Sequence, residues 1–172
     1  MKIAVIVAHP NLAASRINKA WVEELQKHEH ITTHCLYEAY PDESINVERE
    51  QLLLEKHNRI ILQYPFYWYS TPPLLKKWFD SVMLPGWAYG SGGIHMSGKE
   101  IGVAISTYGS ADSYKPDGFN RFTMQQLLRP VEALAHFVSA TYKPPFVLHD
   151  SSAVSDEQLE QSQRDFVRHI TS

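Results

Sequence analysis

Arg59–Gly90 reads RIILQYPFYWYSTPPLLKKWFDSVMLPGWAYG, and this stretch decides the fold. An apolar run, Ile60-Ile61-Leu62, continues through Gln63 and Tyr64 and is halted by Pro65, the pattern of a strand buried on both faces of a parallel sheet. Thr71 is of a residue type that caps helices, and Pro72 fits a first helical position, where a missing N–H is harmless. The helix that follows carries Leu74, Leu75, Trp78, Phe79, Val82 and Met83 over more than one stripe, while Lys76, Lys77 and Asp80 leave a narrow polar edge. So broad an apolar surface predicts two packing partners, its own sheet and a second copy of the chain. Pro85-Gly86 ends the helix, and Trp87-Ala88-Tyr89-Gly90 opens a second aromatic loop. Between strand and helix stand Phe66, Tyr67, Trp68 and Tyr69. A connection that only had to turn would use Gly, Asn and Ser, so these rings predict a surface that lies against something flat.

The same alternation extends outward. Toward the N-terminus, Ile3–Ala8 reads as a first buried strand, His9–Ser15 as its loop, and the next helix presents Ile17, Ala20, Trp21 and Leu25, with Ser15 as its cap. Ile31–Leu36 is expected to be an edge strand, Tyr37–Asn46 a loop and Val47–His57 a more exposed helix. Toward the C-terminus, Ile101–Ser106 is strand four and Thr107–Gly118 its outgoing loop. Phe119–Ala140 reads as helical in two pieces broken at Pro130, and Phe146–Leu148 as strand five. Ser155-Asp156-Glu157-Gln158 forms a capping box for a last helix with Leu159, Phe166, Val167 and Ile170 inside. Five strands alternating with helices predict an α/β, three-layer, doubly wound sandwich with a parallel sheet of order 2-1-3-4-5, as one domain over residues 1–172. In that arrangement ligands sit beyond the carboxyl ends of the strands, where the loops after strands one, three and four meet.

Composition narrows the function. With 172 residues, 44% hydrophobic and 20% charged, and a net charge of −3, the chain has no basic run or basic helix face for nucleic acid or an anionic membrane. No segment approaches the roughly 18 apolar residues of a membrane helix, and the apolar start at Ile3 is read as a strand rather than a targeting peptide. One cysteine, Cys35, fits a reducing, cytoplasmic compartment. The scattered histidines, His28 and His30 among them, show no metal-binding spacing and are expected at the surface.

The first loop leads into a helix N-terminus, where free N–H groups favour an anion, with Ser15, Arg16, Asn18 and His9 as further donors. The aromatic loop and the Thr107-Tyr108-Gly109 turn would flank a planar ring. A phosphate seat at one end and a flat slot at the other describe flavin mononucleotide. The absence of GxGxxG after strand one and of GxxxxGK[ST] anywhere disfavours a Rossmann dinucleotide or a P-loop nucleotide.

Ala8-His9-Pro10, Ser15 through Asn18, the string Pro65-Phe66-Tyr67-Trp68-Tyr69-Ser70-Thr71-Pro72-Pro73-Leu74-Leu75-Lys76, Gly86–Gly90 and Lys143-Pro144-Pro145-Phe146 together resemble the flavodoxin-like NAD(P)H:quinone oxidoreductases. The resemblance is strongest to the bacterial branch that includes the ancillary flavoprotein of the glutathione-gated potassium efflux system. It implies a homodimer with flavin between subunits and a ping-pong, two-electron transfer from NADPH or NADH to a quinone. It also implies that His9, Ser15, Arg16, Ile17 and Asn18 hold the phosphate end. Pro65, Phe66, Tyr67 and Trp68, with Ser106, Thr107, Tyr108 and Gly109, would then hold the isoalloxazine, and Tyr114 would stand beside substrate and ring. The larger FAD-binding relatives carry a long C-terminal extension that this chain lacks, which favours FMN over FAD. Two departures stand out: many relatives have Gly-Gly at Tyr108-Gly109, and Asn120 stands where the animal enzymes carry a histidine. The alternative role is a regulatory subunit of a potassium efflux transporter, peripheral to the inner face of the membrane, with reductase activity secondary.

Overall fold

The computed structural model describes residues 1–172. Six strands form one sheet: β1 (Ile3–Val7), β2 (Ile31–Cys35), β3 (Arg59–Pro65), β4 (Glu100–Ser106), β5 (Thr141–Tyr142) and β6 (Phe146–Leu148). Their order is β2-β1-β3-β4-β5, with β6 also on β4, and every pairing is parallel. The expected order holds, with its last position split in two. Thr141 and Tyr142 pair with Glu100 and Ile101, Phe146–Leu148 with Ala104–Ser106, and between them Pro144 and Pro145 have no N–H to give a ladder.

The helices are α1 (Arg16–Leu25), α2 (Leu36–Ala39), α3 (Val47–Glu55), α4 (Pro73–Val82), α5 (Met124–Leu127), α6 (Arg129–Phe137) and α7 (Asp156–Thr171). Strand alternation divides the interior in two. Ile3, Val5 and Val7 of β1 face α1 and α7, where Trp21 lies 5.1 Å from Phe166 and 5.4 Å from Phe146 between ring centroids. Ala4, Ile6 and Ala8 face the other layer, with Leu62, Leu74 and Trp78. Each large side chain so enclosed contributes about 1.5–3 kcal/mol of transfer free energy.

Several expectations are corrected. α4 begins at Pro73, and the cap position falls on Pro72, so the Thr71 side chain caps nothing. Leu36 does not continue β2 but opens α2, and α3 stops at Glu55. Phe119–Phe122 are not helical; Thr123 starts α5 with a capping box, and Pro130 lies in the first turn of α6, where it begins a helix instead of kinking one. The breadth of α4 is also explained within one chain, because Leu74, Leu75, Trp78 and Val82 are all fully buried. Its second partner within the chain is the α2–α3 layer: the Trp78 indole N–H donates to Glu50 of α3 at 2.8 Å.

Glu50 is buried, and it also accepts hydrogen bonds from the Tyr40 hydroxyl and from His34 Nε2 at 2.9 Å. Burial alone would raise its carboxyl pKa, but the bonds from His34, Tyr40 and Trp78 outweigh that and hold it below the usual value. His34 and His57 therefore depart from the surface placement expected of the histidines. His57 Nδ1–H donates to the Leu53 carbonyl at 2.7 Å, which leaves Nε2 to accept from the Thr32 hydroxyl at 2.9 Å.

Candidate functional site

Because β1, β3 and β4 are parallel neighbours, the loops that leave them emerge on one rim. Val7 pairs with Gln63, and Pro65 with Ser106, so His9, Trp68 and Gly109 follow strand ends at the same edge of the sheet. A buried polar brace ties these ends together. Gln63 Nε2 donates to the Asn18 carbonyl at 3.0 Å and to Asn18 Oδ1 at 3.3 Å, and Asn18 Nδ2 donates to Ser106 Oγ at 3.1 Å. The Phe66 N–H donates to the Ser106 carbonyl at 3.0 Å and the Thr107 N–H to Leu148 at 2.9 Å, continuing the ladder into the loops.

The loop after β1 is built from two successive caps. Asn11 Oδ1 accepts the Ala14 N–H and closes a single turn over Leu12–Ala14, then Ser15 Oγ accepts the Asn18 N–H at 3.2 Å and opens α1. The N–H groups of Arg16 and Ile17 are left without an intrahelical partner. His9 Nδ1 accepts the Asn11 N–H at 3.1 Å, so the neutral ring carries its proton on Nε2, and burial lowers its pKa and favours that neutral form. The result is a helix N-terminus with an imidazole N–H and a hydroxyl near it, the donor set an anion needs.

The aromatic loop is a tight hairpin. Ser70 N–H donates to the Tyr67 carbonyl at 2.9 Å, and the two central residues, Trp68 and Tyr69, have φ of +46° and +62°. That is the turn geometry that favours Asn-Gly, occupied here by two bulky aromatics. Trp68 is 92% exposed, so no contact within the chain repays the conformation. Neither Trp68 nor Tyr69 uses its backbone N–H within the chain, and the same is true of Tyr108 and Gly109 across the rim. Phe66 stands edge-on to Tyr69 and Tyr114, with centroids 6.4 and 6.2 Å away, and the Tyr69 hydroxyl donates to Asn120 Oδ1 at 3.0 Å.

Tyr114 returns to this rim on a short turn, Ala111–Tyr114, and closes over Gly109. A Cβ on Gly109 would lie 3.3 Å from Tyr114 Cε2 and 3.5 Å from its hydroxyl, so any side chain there would have to push the Tyr114 ring outward by a few tenths of an ångström, and glycine lets it sit close. Burial raises the Tyr114 phenol above its ordinary pKa, and the neighbouring Thr107 hydroxyl partly offsets the rise.

The thirteen residues expected at the cofactor and the single catalytic tyrosine thus divide by what their side chains do. His9, Ser15, Tyr67, Trp68, Thr107, Tyr108, Gly109 and Tyr114 lie on the rim itself. Asn18 and Ser106 spend their side chains on the buried brace, Ile17 is packed with Trp21 in the core, and Pro65 closes β3. Phe66 is half-buried among the aromatics. Arg16 points elsewhere: its guanidinium donates to the Val154 carbonyl and to Asp156, both at 2.6 Å, because the start of α7 lies beside α1 and offers a carboxylate. From Arg16 and Ile17 the rim receives backbone N–H groups, not side chains. Two contributors escaped the sequence. Gln63 is a polar residue that interrupts the apolar run of β3, which is the available signal, and His149 lies 5.3 Å from the Tyr114 ring with nothing in its neighbourhood of sequence to mark it.

Open clefts elsewhere have other chemistry. One of about 510 Å³ between β2 and α3 is lined by Asn46, Glu48, Arg49 and Lys56, and borders none of these loops. The rim suits a flavin phosphate and isoalloxazine: anion donors at the α1 end, exposed rings and unpaired N–H groups at the other, and a glycine where a side chain would fill the slot.

Known proteins support the fold from a separate direction. A family of proteins described by its flavodoxin-like fold matches residues 1–170. Among curated relatives, the uncharacterized NAD(P)H oxidoreductase YdeQ of Bacillus subtilis is 45% identical over 100% of this chain and 87% of its own. The glutathione-regulated potassium-efflux system ancillary protein KefG of Pectobacterium carotovorum is 36% identical over 99% of this chain and 93% of its own. Among solved structures, general stress protein 14 of Treponema denticola, in complex with FMN, superposes with a TM-score of 0.96 at 38% identity, covering 99% of this chain and 98% of that one. An NADPH-quinone reductase from P. pentosaceus superposes at 0.92 with 32% identity, covering 100% and 99%. Sheet order, rim and these likenesses agree, and the chain belongs to the family of flavodoxin-like fold.

Proposed function

We propose that the chain is a flavin-dependent NAD(P)H:quinone oxidoreductase that holds FMN across the rim and transfers two electrons in a ping-pong cycle from NADPH or NADH to a quinone. The observation that carries this reading is the convergence of an anion-binding helix start with a strained, exposed aromatic turn on one edge of the sheet. The likeness to an FMN complex and to an NADPH-quinone reductase supports it.

The bound flavin supplies hydride chemistry, and the chain's task is to bind, orient and exclude water. His9 Nε2–H, the Ser15 hydroxyl and the N–H groups of Arg16 and Ile17 hold the phosphate. The N–H groups of Tyr108 and Gly109, unpaired within the chain, would face the ring and could stabilise negative charge there. Tyr114 keeps its proton at neutral pH and can offer it to an acceptor oxygen. Trp68, Tyr108 and Phe119 are 92%, 81% and 88% exposed, and we infer that a second copy covers this surface, as a homodimer would.

The test is reconstitution with FMN, release of the bound cofactor for mass spectrometry, and anaerobic bleaching by NADPH followed by recovery on adding a benzoquinone. Parallel lines in double-reciprocal plots support the ping-pong cycle, and sedimentation tests the dimer. Failure to bind flavin overturns the reading. A second reading follows from the KefG likeness: the chain serves as the ancillary subunit of a potassium efflux transporter. No helix is long and apolar enough to cross a membrane, so such an attachment, at its cytoplasmic face, would run through the partner, and co-purification with the transporter tests it.

A further inference from the structure

We propose that His149 and Thr107 form a proton inlet to Tyr114, carrying a solvent proton from the cleft beside β6 and α7 to the acceptor on the rim. This rests on the reductase reading. Reducing a quinone to a hydroquinone takes two electrons, one hydrogen from NAD(P)H and one further proton. Tyr114 is the hydroxyl on the rim placed to give that proton, but half-buried it needs a route by which to recover it.

The geometry supplies one. Thr107 is 2% exposed, and its hydroxyl donates to the Gly109 carbonyl at 2.9 Å. A hydroxyl has a single proton, so the contact between Thr107 Oγ1 and His149 Nδ1, also 2.9 Å, is made with the imidazole as donor. His149 therefore carries its proton on Nδ1, and its Nε2 makes no hydrogen bond within the chain. The imidazole lies 5.3 Å from the Tyr114 ring, tilted by 34°, so the two rings and the threonine form one packed unit. On its other side His149 lines an open cleft of about 520 Å³ together with Asp150, Gln158, Gln161 and Asp165. Burial lowers the His149 pKa, which Asp150 and the Gly109 backbone partly offset, so the ring is neutral and works by exchanging protons.

The transfer balances as follows. Tyr114 gives its phenolic proton to the acceptor oxygen. The Thr107 hydroxyl turns from Gly109 to reprotonate the phenol, and Thr107 takes the Nδ1 proton of His149. His149 gains a solvent proton at Nε2 and is left as the neutral Nε2–H tautomer. Exchange of the ring with solvent, releasing that proton and regaining one at Nδ1, restores the resting form before the next turnover, so one solvent proton is consumed and no net charge remains on the three residues. The charged and titratable groups facing His149 are Asp150 on its own loop, Tyr114 across the rim and Asp165 of α7 in the cleft.

His149→Phe keeps a ring against Tyr114 and removes both nitrogens, while His149→Gln keeps a donor to Thr107. With FMN bound, anaerobic stopped flow separates bleaching by NADPH from re-oxidation by a benzoquinone. Bleaching is expected to be unchanged in both variants, while re-oxidation slows by about tenfold to a hundredfold, with a solvent deuterium effect that the variants lose. Added imidazole is expected to recover part of the His149→Phe rate. In the flavin-free protein, 15N spectra are expected to place the His149 proton on Nδ1 and to lose that preference in Thr107→Val. Re-oxidation within twofold of the parent in His149→Phe, or a proton resident on Nε2, overturns the inlet while leaving the reductase reading intact. A protein that NADPH does not bleach overturns both.

Discussion

Trp68 offers a direct test of whether the rim is built for a ligand or for the fold. Its φ of +46° lies in the left-handed region, which costs a bulky L-residue roughly 1–2 kcal/mol. At 92% exposure its ring recovers almost none of this by burial. Asn tolerates the conformation and suits the turn, so Trp68→Asn is expected to stabilise the flavin-free protein by about 1 kcal/mol, seen as a rise in Tm of about 2–4 °C for a chain of this size. The same change removes a stacking surface of about 0.5–1.5 kcal/mol, so FMN affinity is expected to fall by roughly threefold to tenfold. Thermal unfolding without flavin and fluorescence titration with FMN measure the two halves separately. A destabilised apoprotein would show that Trp68 makes contacts the fold depends on. Unchanged FMN affinity would remove the reason for placing a flat ring beside it.

Other outcomes follow from side chains already described. Gly109→Val is expected to hinder Tyr114, whose ring would lie 3.3 Å from the new Cβ, so quinone re-oxidation and FMN affinity both drop while the urea midpoint of the apoprotein moves little. Arg16→Ala is expected to leave FMN affinity within about threefold, because what it removes is a partly exposed ion pair with Asp156 and a hydrogen bond to the Val154 carbonyl, both away from the rim; a far larger loss would return the guanidinium to the phosphate. Glu50→Ala orphans three donors, two of them fully enclosed, and is expected to lose about 3–5 kcal/mol by urea unfolding at an unchanged slope. Its pH dependence has a definite sign. The folded carboxyl is held below its ordinary value, so its contribution is complete above the unfolded pKa of about 4.3 and is lost as pH falls through the folded value. The acid limb of the stability curve should therefore flatten in Glu50→Ala.

Much of this architecture is local and could be read along the chain. The strand of Arg59–Pro65, the capping box at Ser155 and the aromatic run Phe66–Tyr69 each depend on neighbours within a few residues, where periodicity, cap chemistry and turn preference operate. Alternation of strands and helices then implies a parallel sheet, and with it the rim. The apolar width of α4 says only that a helix is enclosed, not by what; within the chain α2 and α3 supply that enclosure. Arg16 went elsewhere because Asp156 is 140 residues away in sequence and adjacent in space. The Gln63–Asn18–Ser106 brace and the approach of His149 to Thr107 across 42 residues are likewise set by strand register, which pairs Pro65 with Ser106 and Ser106 with Leu148. Residue types and their spacing decided which loops carry the chemistry. Only the packed sheet, by bringing together side chains that no periodicity links, decided which of their groups are free to meet a ligand.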